Sequence, residues 1–328
     1  MKGLRALWAD RRARPAVVVL ALLIGAAVFA DLLASDLPLA VRVDGQTHWL
    51  PCLARPAALR GRNQATLAAT AEWMVCTPIP YGPAQTIAAT GELREGLPPW
   101  GPDGAHWLGT DELGRDVLAR LIHGARVSLF VAFFTVLIAV GVGLLLGGVS
   151  GYLGGATDAV LSRALEVMTT FPLVFFLIAL LSVLRTQSLW PLVLALGLTR
   201  WTDVARLVRA EVLKLKTLDY VLAARAMGAS TARIIARHLL PNALGPVLVT
   251  ATFGVAAAVL LETALSFLGL GVAPPTASWG ELLTQAHRTL VHPGAWWLAV
   301  FPGTCIALTV LSVNALGEAV RRKVDGGG

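Results

Sequence analysis

Arg200, Asp203, Glu262 and Asn314 stand inside stretches that are largely apolar. In hydrocarbon such groups are costly, so each must face protein or a water-filled path. Two chemistries stay open for them. They line a route for a polar solute, with Glu262 the best candidate, or they hydrogen-bond one helix to another. Cys52 and Cys76 share one long polar segment. In an oxidising compartment they could close a disulfide, for which a chain-entropy argument gives roughly 3 to 4 kcal/mol. Equally, both could be small buried hydrophobes. Cys305 lies in an apolar run. Other chemistry finds no footing. There is no G-x-x-x-x-G-K-[ST] loop for phosphates, and no H-E-x-x-H, C-x-x-C or G-x-S-x-G. The six histidines are scattered, with His106, His123, His287 and His292 lacking ligand spacing.

The elements that must carry these residues are set by composition. Of 328 residues 56% are hydrophobic and only 14% charged, and mean hydropathy is +0.69. The apolar residues arrive in runs of bilayer-crossing length, about 18 to 22 residues. Only helices or closed barrels satisfy the backbone in lipid, so the chain reads as an all-α polytopic membrane protein. Six spans are expected, at 15–33, 127–148, 161–184, 189–208, 243–268 and 296–316. The net charge of +7 then reflects basic residues held on one side rather than nucleic-acid binding. Lys2, Arg5, Arg11, Arg12, Arg14, Arg163, Arg206, Arg209, Lys214, Lys216, Arg225, Arg233, Arg237 and the tail from Arg321 to Lys323 share that side, which the positive-inside rule makes cytoplasmic. Arg185 and Arg288 are the sparse basics opposite. This reading divides the chain into a basic tail and first helix (1–34), an outward insertion with an interfacial amphipathic helix (35–125), a five-helix core (126–320) and a cytoplasmic tail (321–328). A second reading of the start, a signal peptide cleaved after Ala30, leaves five spans.

Within Asp111–Ser128, Leu113, Val117, Leu118, Leu121 and Ile122 fall on one helical face, and Asp111/Arg115 and Asp116/Arg120 form i,i+4 pairs on the other. The expectation is a helix lying at the outer interface. Pro274 and Pro275 predict a rigid turn, and Trp279 a boundary position. Pro172 and Pro302 predict kinks, and Gly141, Gly143, Gly147 and Gly148 close helix packing.

One cytoplasmic stretch differs from an ordinary solvated loop. In "YVLAARAMGASTARIIARHLLPN", Asp219 is the expected N-cap of a helix over 220–227, and Gly228 its left-handed end. Ser230 or Thr231 caps a second helix running to Pro241. Val221, Leu222, Ala223 and Ala224 would be exposed apolar surface unless a partner covers them.

"AARAMGA" followed by "RHLLPN" resembles the cytoplasmic loop of ABC importer permeases, E-A-A, three residues, G, nine residues, then I-x-L-P. Ala223, Ala224, Gly228, Leu240 and Pro241 match; Leu222 stands for the Glu and His238 for the Ile. "HWLGTDELGRDVLARLIHGARVSL", "GYLGGATDAVLSR", "ETALSFLGLGVAPPTASWGELL" and "FPGTCIALTVLSVNALGEAVRR" are similar to the dipeptide/oligopeptide/nickel branch, in the second permease of the pair. The insertion beginning "ASDLPLAVRVDG" resembles that of microcin-C-type peptide importers. The resemblance implies a type I ABC importer permease fold and an inner-membrane, multi-pass subunit with both termini cytoplasmic. It implies a coupling loop over 209–241 that uses Tyr220, Val221, Leu222, Ala223, Ala224, Gly228, Leu240 and Pro241. Its implied partners are a sister permease, two ATPase subunits and an extracytoplasmic binding protein, besides membrane lipid. ATP and Mg would bind the ATPases, and this chain would hold no cofactor and catalyse nothing. Peptide is the first cargo, and nickel or another small solute the second. An ion-coupled secondary transporter is the rival from another class; it calls for inverted-repeat broken helices and paired acids, which the sequence does not show. A non-transporting scaffold leaves the apolar stretch 221–224 without a reason.

Overall fold

The computed structural model describes residues 13–90, 96–184, 188–288 and 294–325. Lys2, Arg5, Arg11, Arg12, Arg185 and His292 lie outside them. The chain forms two compact units.

The first unit comprises Met1–Val19, Val131–Leu261 and Val310–Gly328. Its main elements are α6 (Val117–Leu153, from Val131 onward), α7 (Gly155–Thr170), α8 (Leu173–Leu184), α9 (Leu189–Leu215), α10 (Asp219–Ala226), α11 (Thr231–Ile234) and α12 (Leu240–Phe267, to Leu261). The last part of α14 (Trp297–Asp325) also belongs here. Small residues let α6 and α9 touch. A Cβ on Gly143 would come within 2.5 Å of Val204, and one on Gly147 within 2.5 Å of the Ala205 carbonyl oxygen. Gly151 continues the stripe against Arg209 and Val212, as small residues spaced by four do in membranes. Gly148 approaches Leu240 and Ile235. Gly141 departs from the expected packing role, because its Cβ would meet nothing within 4 Å.

Four of the expected spans change shape. The run over 161–184 is not one helix: α7 and α8 meet at a bend of 87°. Pro172 has no N–H to donate, and it drives Phe171 to an extended φ of −83° and ψ of 133°. α9 runs past its expected end to Leu215 and carries Arg200, Asp203, Arg206 and Arg209. The fifth span begins early, since Thr231–Phe267 is one 37-residue helical run. The first apolar helix, α1 (Ala13–Val28), has 16 residues and is followed after Phe29 by the short α2 (Ala30–Leu33). By length and composition three described helices can cross a bilayer, and the bent pair makes a fourth.

The second unit comprises Leu20–Phe130 and Glu262–Thr309. Its insertion is not purely helical. β1 (Ala40–Val43) pairs antiparallel with β2 (Gln46–Trp49) on one side and β3 (Trp73–Val75) on the other. The short helices α3 (Pro51–Ala54), α4 (Gln64–Ala68) and α5 (Ile87–Thr90) accompany the sheet. Alternation along β1 sends Val41 and Val43 into a small core with Leu37, Cys52, Leu59 and Leu67. That core corrects the disulfide expectation. Cys52 is buried in it, Cys76 is exposed, and both are free. Burial pushes the Cys52 thiol above its ordinary pKa.

The expected interfacial helix over 111–128 is also corrected. α6 starts only at Val117, because the Asp116 carboxylate accepts from Ala119 N at 2.7 Å and caps it. The charged side chains turn inward. Asp111, Arg115, Asp116 and Arg120 are all buried. Asp116 pairs with His106 at 2.8 Å rather than with Arg120, whereas Arg120 reaches Asp111 and Glu281 of α13 (Trp279–Arg288). Trp279 is buried too, donating from Nε1 to the Leu121 carbonyl at 3.1 Å instead of facing headgroups.

Candidate functional site

The basic hairpin takes its form from helix-end chemistry. Asp219 is not the cap but the first residue of α10, with Leu218 extended before it. There its carboxylate complements the helix N-terminus. At the other end Gly228 adopts φ +79°. Ala229 N donates to the Ala224 carbonyl and Gly228 N to that of Arg225, each at 3.0 Å. This pair of bonds closes the helix and needs the left-handed glycine. The Ser230 hydroxyl accepts from Arg233 N at 3.4 Å and starts α11. The second helix does not stop at Pro241. A π-turn over Ile235–Leu239 carries it into α12, with Leu240 N bonded to the Ile235 carbonyl. Pro241 offers no N–H to the turn before it, and the wider turn accommodates its ring.

The structure sorts the predicted loop residues into two faces. Val221 and Ala224 are buried at 2% and 4% exposure. Val221 packs with Tyr152, Val208, Val212, Ile234 and Leu239. These two are therefore core, contrary to the expectation of an exposed 221–224 tip, since α10 turns every third or fourth residue inward. Tyr220, Leu222, Ala223 and Pro241 are exposed, Leu240 is half-buried, and Met227 is 82% exposed. The sequence reading missed Met227, although it stands next to the glycine that ends the helix.

Polar contacts pin the hairpin to the rest of its unit. Asn242 Nδ2 donates to the His238 carbonyl at 2.6 Å and to the Tyr220 hydroxyl at 3.3 Å. Arg225 donates to the Tyr152 hydroxyl and lies 5.5 Å from that ring's centre. Lys216 Nζ donates to the Gly151 carbonyl at 3.0 Å. Both acceptors lie at the end of α6, so short, directional contacts join the hairpin and its approach to that helix.

The four polar residues expected within spans are divided between the two units, Arg200, Asp203 and Asn314 in the first and Glu262 in the second. Arg200 and Asp203 form a 3.7 Å ion pair and line a cavity of about 270 Å³, with Thr135, Thr250, Phe253 and Gly254 among the other lining residues. Asn314 is half-buried on α14 and does not line it. Glu262 belongs to the second unit, fully buried, where it accepts from Ser266 Oγ at 2.9 Å and Ser128 Oγ at 3.2 Å. Serine hydroxyls donating to its carboxylate from other positions of the same unit give Glu262 the geometry of an internal tie. Thr135 was not singled out by sequence; it is a small polar residue in an apolar run, and its buried hydroxyl has no partner among the described residues.

The family described as binding-protein-dependent transport system inner membrane component matches residues 139–326. The dipeptide transport system permease protein DppC of Bacillus subtilis is 41% identical over 246 residues, covering 75% of each chain. The oligopeptide transport system permease protein OppC of Haemophilus influenzae is 41% identical over 224 residues, 68% of this chain and 71% of that one. Among solved structures, the inward-facing MetNI methionine ABC transporter aligns with a TM-score of 0.51 at 20% identity, covering 62% of this chain and 96% of that one. At that identity the likeness concerns the fold.

Proposed function

Because the chain belongs to the family of binding-protein-dependent transport system inner membrane components and is a permease subunit of an ABC importer, we propose that it imports peptides and is driven through the exposed face of its 219–242 hairpin. The peptide reading draws on relatives named for dipeptide and oligopeptide transport. It works in a pair of permeases with ATPase subunits, and an extracytoplasmic binding protein delivers the cargo. ATP and Mg bind on the ATPases. Both termini and the hairpin face the cytoplasm, where most of the basic residues gather.

In this mechanism ATP-driven closure of the ATPases moves the hairpin, and the hairpin moves α6 and α9. Leu222, Ala223 and Met227 are the docking surface; Val221 and Ala224 transmit the load inward because they are packed in the core. The cavity beside Arg200 and Asp203 forms part of the peptide route. Its polar groups suit a solute with charged termini and a backbone that needs hydrogen bonds.

The observation that carries this reading is an apolar, exposed helix face held rigidly by Tyr152 and Gly151. The test is the complete transporter in liposomes, with Leu222→Glu and Met227→Glu in this subunit. Peptide uptake and cargo-stimulated ATP hydrolysis should fall together while the subunits still co-purify. Full stimulation in the double variant would remove the docking assignment, whereas stimulation by another solute but not by peptide would remove the cargo.

A further inference from the structure

One face of the outer insertion is unaccounted for by transport. Across the sheet, Ala40 stands between Trp49 and Val75, and Arg42 between Thr47 and Trp73. Strand alternation puts all six on the face opposite the Val41–Val43 core. The indoles of Trp49 and Trp73 meet diagonally over the small Ala40, with ring centres 6.0 Å apart. Trp49 is nonetheless 72% exposed and Trp73 39%. Leu50, Leu53 and Val75 extend the apolar surface. Leu50 is held at φ +49°, a left-handed conformation that is unfavourable for a residue with a side chain. Exposed tryptophans and aliphatic residues gathered on one side of a small domain mark a contact surface.

We propose that this face is a lipid anchor, seating the insertion in the headgroup layer of the same bilayer that the chain crosses. Its position argues for lipid. α3, which carries Leu53, packs against α2, the short helix that ends the first apolar segment. That level is marked from α6 as well. Arg126 donates to the carbonyls of Ala27 and Val28 and to Asp31, and His123 Nε2 donates to the Ala34 carbonyl. Leu22, Ile24, Val28 and Phe29 are exposed apolar residues in the segment just before this point, a composition suited to hydrocarbon. Tryptophan is favoured at this depth, its ring apolar and its N–H able to meet water or headgroups. The nearby cations are answered within the domain, Arg42 by Glu72 at 3.0 Å and Arg55 by Asp36 at 3.1 Å. The attachment is therefore aromatic rather than ionic, and insensitive to salt.

The inference rests on the chain being a membrane protein, not on its cargo or its coupling. Its test uses the assembled transporter in nanodiscs without binding protein, comparing the native chain with Trp49→Phe, Trp73→Phe and the double variant. Subtracting spectra isolates the emission of the two indoles, and the single variants supply the difference should the double one fold poorly. Lipid brominated near the headgroup boundary, within the about 5–10 Å reached by interfacial side chains, should quench that difference roughly two-fold or more. Aqueous iodide should leave it nearly unchanged, at low and at high salt. Quenching by iodide but not by brominated lipid would overturn the anchor. Protection from both quenchers would also overturn it, in favour of a protein partner on this face.

Discussion

Arg209 of α9 grips Asp158 of α7 with two nitrogens: Nη2 donates to Oδ2 at 2.6 Å, and Nε donates to Oδ1. Ser150 of α6 donates to the same Oδ1 at 2.6 Å. One carboxylate thus ties three helices near the end of α6 to which the hairpin is bonded. Arg209→Lys should not substitute, because a lysine offers no planar fork. The pair is partly exposed, so Asp158→Asn should cost only about 1 kcal/mol of stability but should reduce uptake more than that loss explains. A double-mutant cycle read by thermal unfolding and by uptake checks this, and additive effects of Asp158→Asn and Arg209→Lys would refute the tie.

Glu262 separates by isostere. Glu262→Gln keeps an acceptor for Ser128 and Ser266, and uptake should be nearly unchanged. Glu262→Leu strands both hydroxyls in the interior, at about 1–3 kcal/mol for each unsatisfied group. Loss of assembled subunit after detergent extraction reports that cost. A Gln variant that assembles normally but fails to transport would return Glu262 to the pathway.

Glycines on α6 should part company despite sharing one apolar run. Gly147→Ala drives a methyl into the Ala205 carbonyl and should destabilise by about 1–3 kcal/mol, the usual range for overpacking. Gly141→Ala meets nothing within 4 Å and should gain up to about 1 kcal/mol from helix propensity. Thermal unfolding of the two variants in the same detergent decides between a packed stripe and a merely flexible helix.

The thiols give a pH-dependent prediction. Burial raises the Cys52 pKa, so its reactive thiolate is scarcer than that of an ordinary thiol at any pH below that raised value. In the folded protein a polar alkylating reagent should modify Cys76 rapidly and leave Cys52 unmodified from neutral to mildly alkaline pH. After denaturation without reductant all three cysteines should react. Finding only one free thiol before reduction would restore the Cys52–Cys76 bond.

Much of the candidate site was legible in the chain itself. The turn at Gly228 needs a residue without a Cβ, and Ser230 before a helical run is a local cap; both are short-range chemistry and formed as expected. Long apolar runs announce helices in lipid for a similarly local reason: each backbone group must be satisfied within its own segment. The ordered motifs then named the family, which the relatives bear out.

What sequence could not decide is which side of each helix meets another. The stretch Val221–Ala224 is uniformly small and apolar, yet half of it is core and half surface, because the assignment depends on where α6, α9 and α12 stand. Asp116 and Arg120 have ideal i,i+4 spacing, but Asp116 ends up capping α6 and binding His106, while Arg120 joins a glutamate more than 150 residues away. Cys52 and Cys76 are near in sequence and still unbonded, one held in a core that only the folded sheet creates. Caps, turns and span lengths are settled by neighbours a few positions apart, so the amino-acid order determined them. Burial, ion-pair partners and the exposed tryptophan face are settled by distant segments meeting, and only the tertiary structure decided those.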